Sequence, residues 1–166
     1  MTISIPTSVF DKYHEGVDCI LSSFGVNCTV YFPPLKTPCP NCYFVSIPGI
    51  EGTNIYRPDG PYPFLNKLCP LCEGAGSKLI EESKIVKMRA YFDKKSWDRI
   101  QPKVAITDGG LMTIGKMSDL ITIQRSAYIT LPNQNTTANP YTLNGEPVPW
   151  GFGKDRYFTA IWQRGE

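Results

Sequence analysis

Two four-residue motifs, Cys39-Pro40-Asn41-Cys42 and Cys69-Pro70-Leu71-Cys72, constrain this chain more than anything else in it. A Cys-x-x-Cys turn aims two sulfurs at one point, and two such turns complete a tetrahedral thiolate site. The proline after each first cysteine presets φ for its turn. Gly74 and Gly76, just behind the second motif, let backbone N–H groups approach the sulfurs. Around the motifs, residues 33–77 are rich in Pro, Gly, Asn and Cys and show no periodicity. A stretch of that length does not order itself inside a compact domain, but a bound metal would order it. The spacing therefore predicts a metal site at Cys39, Cys42, Cys69 and Cys72, with Zn2+ as a structural ion. Four thiolates close the coordination sphere and leave no position for an activated water. Iron in an electron-transfer role is the second reading. It is disfavoured because the cysteine ribbon here is an insertion between strands, not a whole domain.

Disulfides compete with a metal for six cysteines, and the compartment decides between them. The opening MTISIPTSVFDKY has no basic stretch followed by an apolar one, so no secretory signal is read there. No segment reaches the roughly 18 consecutive apolar residues of a membrane span. A reducing cytosol, or a particle assembled in it, is the expected location, which favours metal over disulfides. Cys19 falls on the apolar side of a helical segment and Cys28 within a strand. Both are expected to be buried, unpaired thiols.

The rest of the composition narrows the chemistry. In 166 residues, 42% hydrophobic content supports one core, while 15 Pro and 14 Gly point to short strands and many turns. A net charge of +2 gives no strong field for nucleic acid or an anionic membrane. The single histidine, His14, excludes multi-histidine metal sites. With Glu15 it reads as part of a helix surface, since no nucleophile elbow accompanies it. Gly74 to Lys78 lacks the leading glycine and preceding strand of a phosphate-binding loop. Glu81 and Glu82, adjacent on an expected strand, face opposite ways and share no site. No enzyme activity is expected.

Residues 8–24 have near-helical apolar spacing, with Ser8 as N-cap and Gly25 as the stop. Gly16 within it costs about 1 kcal/mol relative to Ala. Val26 to Phe32 reads as a strand, and residues 79–93 as one long strand or two broken by a bulge. Residues 104–107 and 111–115 read as a hairpin about Asp108-Gly109-Gly110. Residues 120–131 also have strand character, followed by an exposed loop from Asn133 to Pro140. Two terminal strands follow within residues 141–164. Lys84, Lys87, Arg89, Lys94, Lys95 and Arg99 are interleaved with Tyr91, Phe92 and Trp97. A solvated strand face is preferred there over a nucleic-acid surface. The expected fold is mainly β: a small antiparallel β-barrel with an N-terminal helix and an inserted zinc-ribbon subdomain. Its parts are the helix and first strand (1–32), the four-cysteine ribbon (33–77) and the barrel (78–166).

At GVNCTVYFPP, CPNC, CPLCEGAGS and LNGEPVPWGFGKDRYFTAIWQR the chain resembles virion proteins of tailed bacteriophages. It is similar to head–tail junction proteins, above all the head-closure or stopper type. The likeness runs through the order of parts: helix, first strand, ribbon, then a barrel ending in an aromatic strand. It implies a non-enzymatic virion protein of the neck that assembles as a ring, hexameric or dodecameric, in the host cytoplasm. Its partners would be adaptor or portal on the head side and tail proteins on the other. Packaged DNA would pass through without sequence readout. Stoppers in general need no metal, so the ribbon departs from the pattern, and a tail-terminator ring of the same virion is a variant of the reading. The alternative class is a cytosolic nucleic-acid-binding barrel with a zinc ribbon.

Overall fold

The computed structural model describes residues 6–43, 46–47, 50–51, 55–64, 67–92, 109–132 and 140–165. They form two compact units, one from residues 1–32 with 83–166 and the other from residues 33–82.

The first unit is a closed antiparallel barrel. Its strands are β1 (Val26–Tyr31), β6 (Ser83–Tyr91), β7 (Leu111–Lys116), β8 (Tyr128–Thr130), β9 (Tyr141–Leu143) and β11 (Tyr157–Arg164). They pair in the order β11-β7-β6-β1-β8-β9, and β9 pairs back onto β11 to close the ring of six. A further strand, β10 (Val148–Trp150), pairs with the start of β11, ahead of the stretch that pairs with β9. Closure removes the free edges that a six-stranded sheet would otherwise expose.

Alternation fills the interior. Cys28 and Val30 of β1, Val86 and Met88 of β6, Leu111 of β7, and Phe158, Ala160 and Trp162 of β11 form one buried cluster with Ile129, Leu131 and Tyr141. Trp162 is completely buried, and its indole N–H donates to Thr113 Oγ1 at 2.8 Å. Gly115 makes room for this filling, because a Cβ there would lie 2.5 Å from Phe158 Cζ. Between β7 and β8 the chain makes a 3-10 turn (Met117–Asp119) and a one-turn helix, α2 (Leu120–Gln124). Ile123 enters the barrel core, with Met117 and Leu120 against it. Strand character was expected at Leu120–Gln124. The β-branched residues there are used in a helix, because Leu120 and Ile123, three residues apart, must both reach a single core.

Helix α1 (Thr7–Phe24) starts one residue before the expected Ser8 cap. Pro6 takes the cap position, and no side chain caps the helix there. Its end matches expectation, with the Gly25 N–H donating to Leu21 O at 3.0 Å. Phe10, His14, Val17 and Leu21 recur at helical spacing on the barrel side. Leu21 and Val17 meet Ile114, Tyr157, Tyr91 and Trp150, and Phe10 meets Phe152 with ring centroids 4.8 Å apart. The last turn of α1 has no basic residue of its own. Strand β6 supplies the cations: Lys87 Nζ donates to Ser22 O (2.7 Å) and an Arg89 guanidinium N–H to Phe24 O (2.8 Å). These bonds satisfy carbonyls that a helix end leaves open and complement its negative dipole end.

The second unit leaves the barrel after Tyr31 and returns at Ser83, which are cross-strand partners. It contains the ribbon β2 (Leu35–Pro38) paired with β5 (Ser77–Ile80), and the short pair β3 (Ser46–Ile47) and β4 (Ile50–Glu51). Ser77–Ile80 therefore belongs with the insertion. The barrel resumes at Ser83, five residues beyond the expected boundary. Glu81 and Glu82 lie between β5 and β6, on neither strand. The C-terminal region holds three strands (β9, β10 and β11) where two were expected. The expected arm 104–107 with Asp108, and the loop 133–139, lie outside the described residues, as do Lys94, Lys95, Trp97 and Arg99.

Candidate metal centre

Each Cys-x-x-Cys folds as a tight turn. The Cys42 N–H reaches back to Cys39 O at 3.2 Å, and the Glu73 N–H to Cys69 O at 2.8 Å. After Cys72 the backbone runs through left-handed φ at Glu73 (50°), Gly74 (87°) and Gly76 (68°). Glycine is the residue that adopts such angles without steric penalty. This reversal carries the chain from the second turn into β5, where the Cys39 N–H donates to Gly76 O at 2.9 Å and ties the two motifs together. The same glycines account for the superficial likeness to a phosphate loop.

The four sulfurs lie within 4.8 Å of one another, and all four cysteines are buried. Cys39 and Cys69 Sγ are 3.9 Å apart, and Cys42 and Cys72 Sγ are 3.6 Å apart. Metal–sulfur bonds of about 2.3 Å in a tetrahedron give sulfur–sulfur edges of about 3.8 Å. A disulfide would require about 2.0 Å, and none of the six cysteines is in a disulfide. The donor set thus fits a tetrahedral metal ion. Phe64 and Leu71 pack against the cluster, and Tyr56 meets Phe64 edge-on with centroids 5.7 Å apart.

The sulfurs are not electrostatically alike. Burial pushes the Cys39 and Cys42 thiols up. Burial acts the same way on Cys69. There, hydrogen bonds from the Asn41 amide and the backbone N–H groups of Leu71 and Cys72 outweigh it and bring the thiol down to about 6. Asn41 escaped the reading of the sequence, since the residues between the paired cysteines carry no spacing signal of their own. Only its position two residues after Cys39 was visible.

The other residues singled out from the sequence are scattered. His14, expected on the surface, is buried with 3% exposure. Its Nε2 lies 3.1 Å from Phe152 O, and its own carbonyl accepts the Tyr157 hydroxyl at 3.0 Å. It serves to dock α1 onto the turn before β11. Lys84 bonds to Asp119 (3.4 Å) and Thr122 (3.1 Å), and Lys87 and Arg89 hold the end of α1. Cys28 is fully buried, as expected, and burial pushes its thiol up to about 12. Cys19, expected in the core, is exposed. The barrel covers a helix arc of Phe10, His14, Val17 and Leu21, and Cys19 lies off it. With a maleimide reagent on the native protein, Cys19 should react within minutes and Cys28 only on unfolding. Equal rates at the two would contradict this burial.

Fold and site together define a class, a six-stranded antiparallel barrel bearing an insertion whose four clustered cysteines could hold a metal ion. Comparison with protein-family models, with curated proteins and with solved structures gives no match for the chain. Among the described residues, no helix is long and apolar enough to cross a membrane.

Proposed function

We propose that this chain is a structural subunit of a ring in the neck of a tailed bacteriophage, of the head-closure type, with one structural zinc ion on Cys39, Cys42, Cys69 and Cys72. The observation that carries the subunit reading is a second apolar stripe on α1. Val9, Tyr13, Ile20 and Phe24 are 46%, 38%, 46% and 59% exposed. At 3.6 residues per turn these positions fall within about 60° of arc. Ile85, Ile121 and Val148 are also exposed on the barrel unit. Exposed apolar residues aligned on one helix face favour contact with another protein.

The kind of assembly comes from the resemblance at residues 25–34, the two cysteine motifs and the segment 143–164. A closed barrel with one helix outside it accords with that family. The ring requires two complementary lateral faces on each subunit. Its partners are further copies of the chain, the adaptor or portal, tail proteins and packaged DNA, with no sequence readout. The role is non-catalytic. Zinc is preferred to iron because the ion's task is to hold an insertion in shape, which a redox-inert metal does without chemistry of its own. The nucleic-acid reading has less support: the described cations Lys84, Lys87 and Arg89 are engaged within the chain.

A cryo-electron microscopy map of the intact particle tests the proposal. The expected result is a symmetric ring of this chain around the tail axis. Absence from the virion, or a position without that symmetry, refutes it. Tight DNA or RNA binding by the isolated protein, weakening steeply with salt, would favour the nucleic-acid class instead.

A further inference from the structure

Asn41 is completely buried, and its side-chain amide is fully used. Nδ2 donates to Tyr62 O at 2.7 Å and to Cys69 Sγ at 3.4 Å, while Oδ1 accepts the Tyr62 N–H at 2.8 Å. The side chain thus pairs with Tyr62 as a neighbouring strand would, using both backbone groups of that residue. Its remaining amide hydrogen goes to a sulfur 28 residues away in sequence, on the other motif.

The loop that Asn41 holds is built around it. The Arg57 N–H donates to Asn41 O at 3.1 Å, and the Tyr56 hydroxyl to Gly60 O at 3.1 Å. Gly60 approaches so closely that a Cβ there would lie 2.6 Å from Asn41 Oδ1. Cys42 bridges to Tyr56 from the same turn. A single residue therefore touches both cysteine motifs and the segment 55–62.

We infer that Asn41 is a positioning residue that makes the conformation of the loop Ile55–Tyr62 conditional on metal at the four sulfurs. This rests on the metal reading of the cysteines. Asn41 is anchored at both ends, by the two backbone groups of Tyr62 and by Cys69 Sγ. A metal bound at the four sulfurs fixes the position of Cys69 Sγ, and with it the amide that clamps Tyr62. With the metal removed, that sulfur is no longer held in place, and the clamp on Tyr62 loses its second anchor. Ile55 and Tyr62 are 59% and 55% exposed. The apolar surface this loop offers to a partner therefore differs between loaded and stripped protein.

The test uses the full chain, stripped of metal and titrated with Co2+. It follows the thiolate-to-cobalt charge-transfer band, with amide hydrogen exchange measured before and after loading. The wild type should take up one Co2+ and protect the Arg57 and Tyr62 amides only when loaded, with the barrel strands protected throughout. Asn41→Ala should still bind through its four cysteines, but 10- to 100-fold more weakly. Its band should shift, and Tyr62 should exchange freely even when loaded. Asn41→Asp is nearly isosteric and keeps an acceptor for the Tyr62 N–H. It replaces the donor facing the sulfur with an oxygen, so it should show the same loss of affinity and the band shift even if the alanine variant fails to fold. Unchanged affinity, band and exchange in these variants would overturn the role of Asn41 while leaving the metal site standing. A wild-type chain that takes up no Co2+ would overturn the metal reading, and this inference with it.

Discussion

Cys39→Ser, or chelation of the metal from the unmodified chain, is expected to unfold residues 33–82 and leave the barrel folded. The insertion has little else to hold it. Among the described residues its buried hydrophobic cluster is the four cysteines themselves, with Phe64 and Leu71 against them. The ribbon of β2 and β5 leaves Leu35 and Leu79 more than half exposed. Structural zinc binding is worth on the order of 10–16 kcal/mol in small metal-dependent domains. Removing a ligand takes away most of what offsets the chain entropy of some fifty residues. Elemental analysis of the purified protein should find one zinc per chain. Hydrogen exchange on the variant should show the insertion fully exchanged and β6, β7 and β11 still protected. An insertion as protected in Cys39→Ser as in the wild type would sink the reading.

Trp162→Ala should be the most damaging single truncation in the barrel, costing about 4 kcal/mol. The side chain is completely buried on the strand that pairs with β7, β9 and β10, so no neighbouring element can collapse into the space independently. Its partner offers a finer test. Thr113→Val keeps the shape but orphans the buried indole N–H, at a cost of about 1–3 kcal/mol. Urea unfolding followed by a barrel-specific signal measures both, and neither should alter the stoichiometry of metal uptake. A loss below about 1 kcal/mol for Trp162→Ala would mean that the core is not built around this ring.

The legible parts of this fold are those whose cause is local. The clustering of the four cysteines could be read because a chelating turn needs two sulfurs three residues apart, and that requirement is written in Cys39–Cys42 and Cys69–Cys72. The end of α1 at Gly25 and the alternation of β1 and β6 are local in the same sense. What was missed depends on tertiary partners. His14 looked like a surface residue because nothing within the helix shows which arc the barrel will cover, and the buried face lies over His14 and not over Cys19. Leu120–Gln124 has the β-branched composition of a strand, but insertion of Ile123 into the core decides for a helix. Residues 79–93 read as one long strand or two broken by a bulge, because only cross-strand pairing reveals that Ser77–Ile80 and Ser83–Tyr91 serve different sheets. Asn41 was invisible for the same reason, since its partners Tyr62 and Cys69 are remote in sequence.

The attachment of α1 decides which of its residues can be exchanged. Lys87, Arg89 and the Tyr157 hydroxyl all grip main-chain carbonyls of the helix, those of Ser22, Phe24 and His14. A carbonyl is present whatever residue occupies the position, so these clasps are blind to side-chain identity. A substitution at Val9 or Ile20, both half-exposed, leaves all three clasps in place, so the surface that these two residues display can be exchanged without removing the hydrogen bonds that seat the helix.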